Sequence, residues 1–80
     1  MPETPAWISD SRQRLGDRIR AARLYAGHTQ EVFAEMAGID RRTLQRIEAG
    51  TSDPPYGRLL RIARALDVPL AVLVADDAGE

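Results

Sequence analysis

Six consecutive positions of this sequence hold four side chains that can recognise nucleic-acid bases: Arg41, Arg42, Gln45 and Arg46. On a helix with 3.6 residues per turn they share one arc, and Leu44 and Ile47 lie on the opposite arc. In the major groove of DNA, Arg pairs with guanine and Gln pairs with adenine. The spacing therefore predicts a helix that packs by one face and presents a DNA-reading face on the other.

A plain alternative is that these arginines only solvate a surface helix, as charged outer faces commonly do. The residues around them favour DNA. Thr29 is a good N-cap for a short helix, Gly38 permits a sharp left-handed turn, and Gly50 suits the end of the next helix. The segment from Thr29 to Gly50 is thus predicted to be two short helices joined by a tight glycine turn.

The 80 residues suffice for one small domain with one core. Cysteine is absent and there is one histidine, so neither a disulfide nor a metal site is expected. The sequence contains no recognisable nucleophile–base set and no phosphate-cradling glycine loop, which argues against an enzyme and against a cofactor. No apolar run approaches the length of a membrane span. We expect a cytoplasmic protein, associated with the nucleoid through DNA binding.

The net charge of −1 and the isoelectric point of about 5.8 conceal an uneven distribution. All eleven basic residues are arginines and lie between Ser11 and Leu66, together with six of the twelve acidic residues. Eleven positive charges against six negative ones leave that segment at +5, and the other six acids lie outside it. This asymmetry suits a binding face flanked by acidic ends.

Apolar periodicity and helix-end signals predict an all-α fold, a compact five-helix bundle with helices at about 11–26, 30–37, 41–49, 55–66 and 70–74. Ser9 or Asp10 is expected to cap the first helix, and Asp40 the third. No alternating strand pattern competes. Residues 1–10 are expected to form a flexible or loosely docked arm, residues 11–75 the helix-turn-helix domain, and residues 76–80 an acidic tail.

With this order of helices, the chain resembles the lambda-repressor-like domains of the Xre/Cro type from about Leu15 to Leu73. No short piece is specific, but the ordered set keeps every spacing without a gap. The residues that carry the resemblance are Leu15-Gly16, Ile19-Arg20, Gly27-x-Thr29-Gln30, Ala34-x-x-Ala37-Gly38-Ile39, Leu44-x-Arg46-Ile47-Glu48-x-Gly50, Pro54, and Leu59-Leu60-Arg61-Ile62-Ala63-x-Ala65-Leu66-x-Val68.

The resemblance implies that the third helix lies in the major groove and that its first residues touch base edges. Base readers are then Arg41, Arg42 and Arg46, with Gln45 beside them. Contacts to phosphate are expected from Gln30 at the start of the second helix, and from Thr29, Thr43, Thr51 and Ser52. A structural ion pair, which some members bury, is expected between Arg23 and Glu48.

The chain departs from the family pattern at several positions. His28 replaces the usual Leu, and we expect it to be a half-buried packing residue. Val32 removes the acid of a capping box. Pro55 replaces a capping Ser, and Gly57 costs the fourth helix roughly 1 kcal/mol relative to Ala. These changes bear on affinity and not on the fold.

The resulting hypothesis is a sequence-specific regulator of transcription that binds double-stranded DNA as a homodimer on an inverted repeat. The C-terminal helix is the expected dimer contact. The alternative is an antitoxin or adaptor that uses the same fold to bind a partner protein. In that case the acidic and apolar ends, including Trp7, would form the partner contact.

Overall fold

The computed structural model describes residues 3–75 and contains five helices in that range. They are α1 (Ala6–Tyr25), α2 (Gln30–Ala37), α3 (Arg41–Glu48), α4 (Tyr56–Leu66) and α5 (Leu70–Val74). None of the described residues lies in a strand, and none of the five helices has the length and apolarity needed to cross a membrane. The predicted all-α, five-helix fold is confirmed, with α2 and α5 at the predicted bounds. The predicted tail, residues 76–80, lies outside the described residues.

The first helix begins five residues earlier than predicted, at Ala6 and not near Ser11. The expected caps Ser9 and Asp10 are wrong, because Pro5 occupies the N-cap position and no side chain caps this end. The carbonyl oxygen of Pro5 accepts hydrogen bonds from the amides of Ile8 and Ser9 at 3.0 and 3.2 Å. A proline is tolerated where a helix starts, since the missing N–H would have had no partner there. Half of the segment predicted to be an arm is therefore helical.

One side chain from α2, Phe33, is fully buried at the centre of the core and is its largest member. Every helix contributes to this core, which explains how α2 to α5, with 5 to 11 residues each, are stable in the domain although such short helices are marginal alone. The buried apolar residues are Ile19, Phe33, Ala34, Ala37, Leu44, Ile47, Ile62, Ala63 and Leu73. The inward faces that helical periodicity predicts for α2 and α3 are among them. Of the face predicted for α4, Ile62 and Ala63 are buried, whereas Leu59 and Leu66 are half-buried.

Helix α1 packs directly against the C-terminal end of α3. At Gly16 an added Cβ atom would lie 2.5 Å from the carbonyl oxygen of Ile47 and 2.6 Å from that of Glu48. Such distances leave no room for any side chain. A glycine in mid-helix lowers helix propensity, and here it permits a backbone-to-backbone approach. The close packing of α3 on α1 therefore requires a residue without a side chain at Gly16.

Candidate nucleic-acid interface

The turn between α2 and α3 is built from two side-chain caps and one glycine. The Thr29 hydroxyl accepts a hydrogen bond from the amide of Val32 at 3.1 Å. Gly38 has φ 74° and ψ 30°, a left-handed conformation that glycine adopts without strain. Asp40 then accepts a hydrogen bond from the amide of Thr43 at 2.7 Å. Hydrogen bonding from Thr43 holds the pKa of Asp40 below its ordinary value. All three elements were predicted from the sequence.

The two faces of α3 differ sharply. Leu44 and Ile47 are buried, at 0% and 2% exposure, whereas all four predicted base readers are exposed. The exposed set is Arg41, Arg42, Gln45 and Arg46. Since the apolar face fixes the rotation of the helix about its own axis, the polar face points to solvent as one continuous surface. Three guanidinium groups and an amide so arranged can donate hydrogen bonds to anionic or acceptor-rich surfaces.

The structure brings Arg23 and Glu48 together in a buried pair. Arg23 donates from Nε to Oε2 of Glu48 at 2.7 Å and from its terminal nitrogen to Oε1 at 3.0 Å. Arg23 also donates to the carbonyl oxygen of His28 at 2.8 Å. The pair thus ties α1 and the loop before α2 to the end of α3.

Gln30 joins this pair and does not project freely toward solvent. Its amide nitrogen donates to Oε1 of Glu48 at 3.0 Å, and the residue is half-buried. The Gln30 amide group, which is predicted to contact phosphate, is therefore oriented by Glu48 of α3. His28, beside it, is half-buried as expected, with its ring stacked on Phe33 at a centroid distance of 6.4 Å.

The other predicted phosphate contacts are divided between the two ends of α3. Thr43 is half-buried in its first turn. Thr51 and Ser52 follow the left-handed Gly50, whose φ is 75°. The Thr51 hydroxyl donates to the carbonyl oxygen of Arg46 at 3.2 Å and closes the end of α3. Thr43 therefore lies at the start of α3, and Thr51 and Ser52 lie beyond its end.

Two features of this region were missed at the level of sequence. Arg20, assigned no role, lines a groove with Arg41 at the N-terminal end of α2, where Thr29 and Gln30 form part of the wall. Arg12 forms an ion pair with Asp53, 41 residues away, with Nε–Oδ1 and terminal N–Oδ2 distances of 2.5 and 2.6 Å. Helical spacing could have placed Arg20 on the side of α1 that carries Arg23. No local pattern predicts the second contact.

The fold and this surface define a small helix-turn-helix domain whose second motif helix, α3, carries an exposed face of three arginines and one glutamine. The helix-turn-helix family HTH_3 matches residues 19–73, and the chain belongs to that family. The resemblance to Xre/Cro-type domains is thereby confirmed.

Three similar proteins illustrate the family. The transcriptional regulator ClgR of Mycobacterium tuberculosis is 36% identical over 69 residues, which are 86% of this chain and 61% of ClgR. The restriction-modification controller protein C.AhdI of Aeromonas hydrophila has a TM-score of 0.78 at 30% identity, covering 80% of this chain and 97% of C.AhdI. The P22 c2 repressor, solved with a synthetic operator, has a TM-score of 0.75 at 28% identity, covering 81% and 98%. The chain spans 48% to 61% of the length of the curated relatives it matches.

Proposed function

We propose that this protein regulates transcription by binding a specific double-stranded DNA sequence, with α3 in the major groove. The observation that carries the proposal is the two-faced α3: a fully buried apolar side opposite four exposed base-reading side chains. Two neighbours support it, because the P22 c2 repressor was solved on a synthetic operator and ClgR is named a transcriptional regulator. Such a protein would work in the cytoplasm, on the nucleoid.

In this proposal Arg41, Arg42 and Arg46 select bases and Gln45 assists them. Gln30 and the start of α2 bind a phosphate, where free amides and the helix dipole favour an anion. Thr29, at the start of α2, and Thr43, in the first turn of α3, also contact phosphate, and Arg20 adds a further phosphate contact from α1. Thr51 and Ser52 approach the backbone beyond the other end of α3. Phosphate contacts would set the register and base contacts the specificity.

Selection of bound duplexes from a random DNA pool tests the proposal. We expect an enriched motif, and an affinity that falls linearly with the logarithm of salt concentration, with a slope of roughly −0.9 per neutralised phosphate. An unenriched pool together with a slope near zero would rule out DNA as the ligand.

Arg42→Ala then tests the assignment of base reading. We expect it to relax preference at one base pair per half-site, worth about 1–3 kcal/mol of discrimination. Arg64→Ala, which removes an exposed arginine from α4, is the matched control for net charge. If Arg42→Ala weakened binding equally on all sequences, Arg42 would contact only phosphate.

We further propose a homodimer that binds an inverted repeat. Val72 and Val74 of α5 expose about half of their surface, and Tyr25 at the end of α1 is 95% exposed. Tyr25 and Val72 line one apolar groove between α1 and α5. A second copy could cover this apolar surface, and two-fold symmetry would place the half-sites about one helical turn apart. Val72→Asp should yield a monomer in sedimentation and lose affinity for the full site more than for a half-site.

The runner-up, an antitoxin or adaptor, is favoured by a different surface. Trp7 is 72% exposed and lines a second apolar groove with Ile8, Leu15, Leu59 and Leu73. Apolar grooves of this kind suit a protein partner. A small protein that co-purifies with the chain, or a toxin-like neighbouring gene, would favour this function over regulation alone. Since both functions can coexist on one fold, the DNA selection is needed in either case.

A further inference from the structure

Three contacts follow each other along α1 and accompany the chain as it leaves α3. Gly16 lies against the backbone of Ile47 and Glu48. One turn earlier, Gln13 lies against Gly50, where an added Cβ would be 3.0 Å from its Cα atom. Before Gln13, Arg12 reaches Asp53. Helix α1 is thus a continuous support for the end of the recognition helix and the loop that follows.

That loop has little backbone support of its own. The amide of Thr51 donates to the carbonyl oxygen of Arg46 at 3.1 Å, and the carbonyl oxygen of Pro55 accepts the first hydrogen bonds of α4. Between them, the described residues Ser52, Asp53 and Pro54 make no backbone–backbone hydrogen bond. The hydrogen-bonded side-chain contact within this stretch is Asp53 with Arg12.

Arg12 and Asp53 meet in a two-point contact. Nε and a terminal nitrogen of Arg12 each donate to a different oxygen of Asp53, at 2.5 and 2.6 Å. A two-point contact between planar groups fixes orientation as well as distance. It also neutralises a carboxylate that stands next to Thr51 and Ser52, two predicted donors to phosphate. An uncompensated negative charge there would repel DNA.

We propose that Arg12 is a positioning residue for DNA binding: it holds Asp53, and through it the loop of residues 51–55, without itself touching DNA. The inference rests on the proposed function and extends the functional surface to a part of α1 outside the helix-turn-helix. Arg12 acts on the DNA contact only through Asp53. Its importance should therefore disappear when Asp53 is removed.

The experiment compares Arg12→Ala, Asp53→Ala, the double variant and Arg14→Ala. Arg14 is the matched control because it is a half-buried arginine on the same helix and, within the described residues, makes no hydrogen bond to the loop. Amide hydrogen exchange of Thr51, whose amide donates to the carbonyl oxygen of Arg46, is measured first, on the protein without DNA. We expect faster exchange in Arg12→Ala and Asp53→Ala, and wild-type exchange in Arg14→Ala.

Affinity for the selected duplex is measured next. We expect Arg12→Ala to weaken binding about two- to fivefold more than Arg14→Ala, the range of exposed ion pairs. When Asp53 is already replaced by Ala, Arg12→Ala should weaken DNA binding by no more than Arg14→Ala weakens it in the otherwise wild-type protein. This loss of effect is a coupling that a general charge contribution would not produce.

Each result decides between two proposals. A wild-type protein without sequence preference would overturn both the DNA-binding function and this inference. If the wild type selects a motif but Arg12→Ala equals Arg14→Ala, or exchange in the loop is unchanged, only this inference is overturned. Equal losses from Arg12→Ala in both backgrounds would likewise show that Arg12 acts directly on DNA.

Discussion

Two ion pairs join α1 to α3 and the loop that follows it, and they differ in burial. Arg23 and Glu48 expose 7% and 3% of their side chains. Arg12 and Asp53 expose 23% and 70%. Glu48 also accepts a hydrogen bond from Gln30, and Arg23 donates one to His28, so the buried pair belongs to a network. Within the described residues, no buried side-chain polar atom lacks a partner.

From this difference in burial we infer that the two ion pairs serve different purposes on one helix. Taking two charges out of water is costly, so removing one partner of a buried pair leaves the other charge buried and unpaired. The Arg23–Glu48 pair also links α1, the loop before α2 and the end of α3. An exposed pair contributes little to global stability because solvent screens it. Its effect is local and falls on one loop. We expect the Arg23–Glu48 pair to determine the stability of the domain and the Arg12–Asp53 pair to determine the conformation of the loop of residues 51–55.

The largest expected effect comes from breaking the buried pair on one side. Glu48→Ala leaves the Arg23 guanidinium buried without its carboxylate and should lower the free energy of unfolding by about 3–5 kcal/mol. Urea denaturation followed by circular dichroism measures the loss. Replacing both residues together, in Arg23→Met/Glu48→Leu, should cost clearly less, because no charge is left unpaired. A single variant that lost under 1 kcal/mol would mean that water reaches this site.

The next effect tests the close approach that lies between the two pairs. Gly16→Ala places a Cβ atom against the backbone of α3 and should destabilise the domain by about 1–3 kcal/mol, although alanine is the better helix former. Gly57→Ala in α4 is the matched control, because no atom outside its chain neighbours and its own helix backbone lies within 4 Å of the Cβ position. It should stabilise the domain by about 0.5–1 kcal/mol. Thermal melting should show a lower melting temperature for Gly16→Ala and a higher one for Gly57→Ala. A change in the same direction for both variants would contradict the close approach.

The smallest effect is confined to the exposed pair. The hydrogen bond from Arg12 lowers the pKa of Asp53, so in Arg12→Ala this pKa should rise toward its ordinary value. Because the pKa of Asp53 is lower in the folded state, the pair stabilises the fold at pH values above the ordinary pKa of Asp. This stabilisation is lost as the pH falls through the folded-state pKa. Carboxyl-carbon NMR titration measures the change. Asp40 is an internal control, because its pKa is lowered first by Thr43, and an equal shift there would show a general effect.

Much of this domain was accessible from local signals in the sequence. Thr29 and Asp40 were predicted as caps and Gly38 as the turn, because each acts within a few residues of its own position. The inward stripes of α2 and α3 followed from helical periodicity for the same reason. The start of α1 was wrong because Pro5 was interpreted as part of an arm, although proline is also compatible with the beginning of a helix.

The candidate site also contains features that the sequence predicted and one contact that it did not. Which side chains of α3 face outward follows from its sequence, since Leu44 and Ile47 define the buried face and 3.6 residues per turn define the rest. The resemblance supplied Arg23 and Glu48 as a pair. It did not supply the bond from Gln30 to Glu48, which redirects a predicted phosphate ligand into the network.

From residue type and spacing alone, the sequence established five helices, the positive charge of the middle segment and the polar face of α3. All of these depend on neighbours along the chain. The close approach at Gly16, the groove shared by Arg20 and Arg41, and the Arg12–Asp53 pair arise only when α1 packs on α3. Contacts between residues 41 positions apart depend on where whole helices lie, and local patterns carry no information about that.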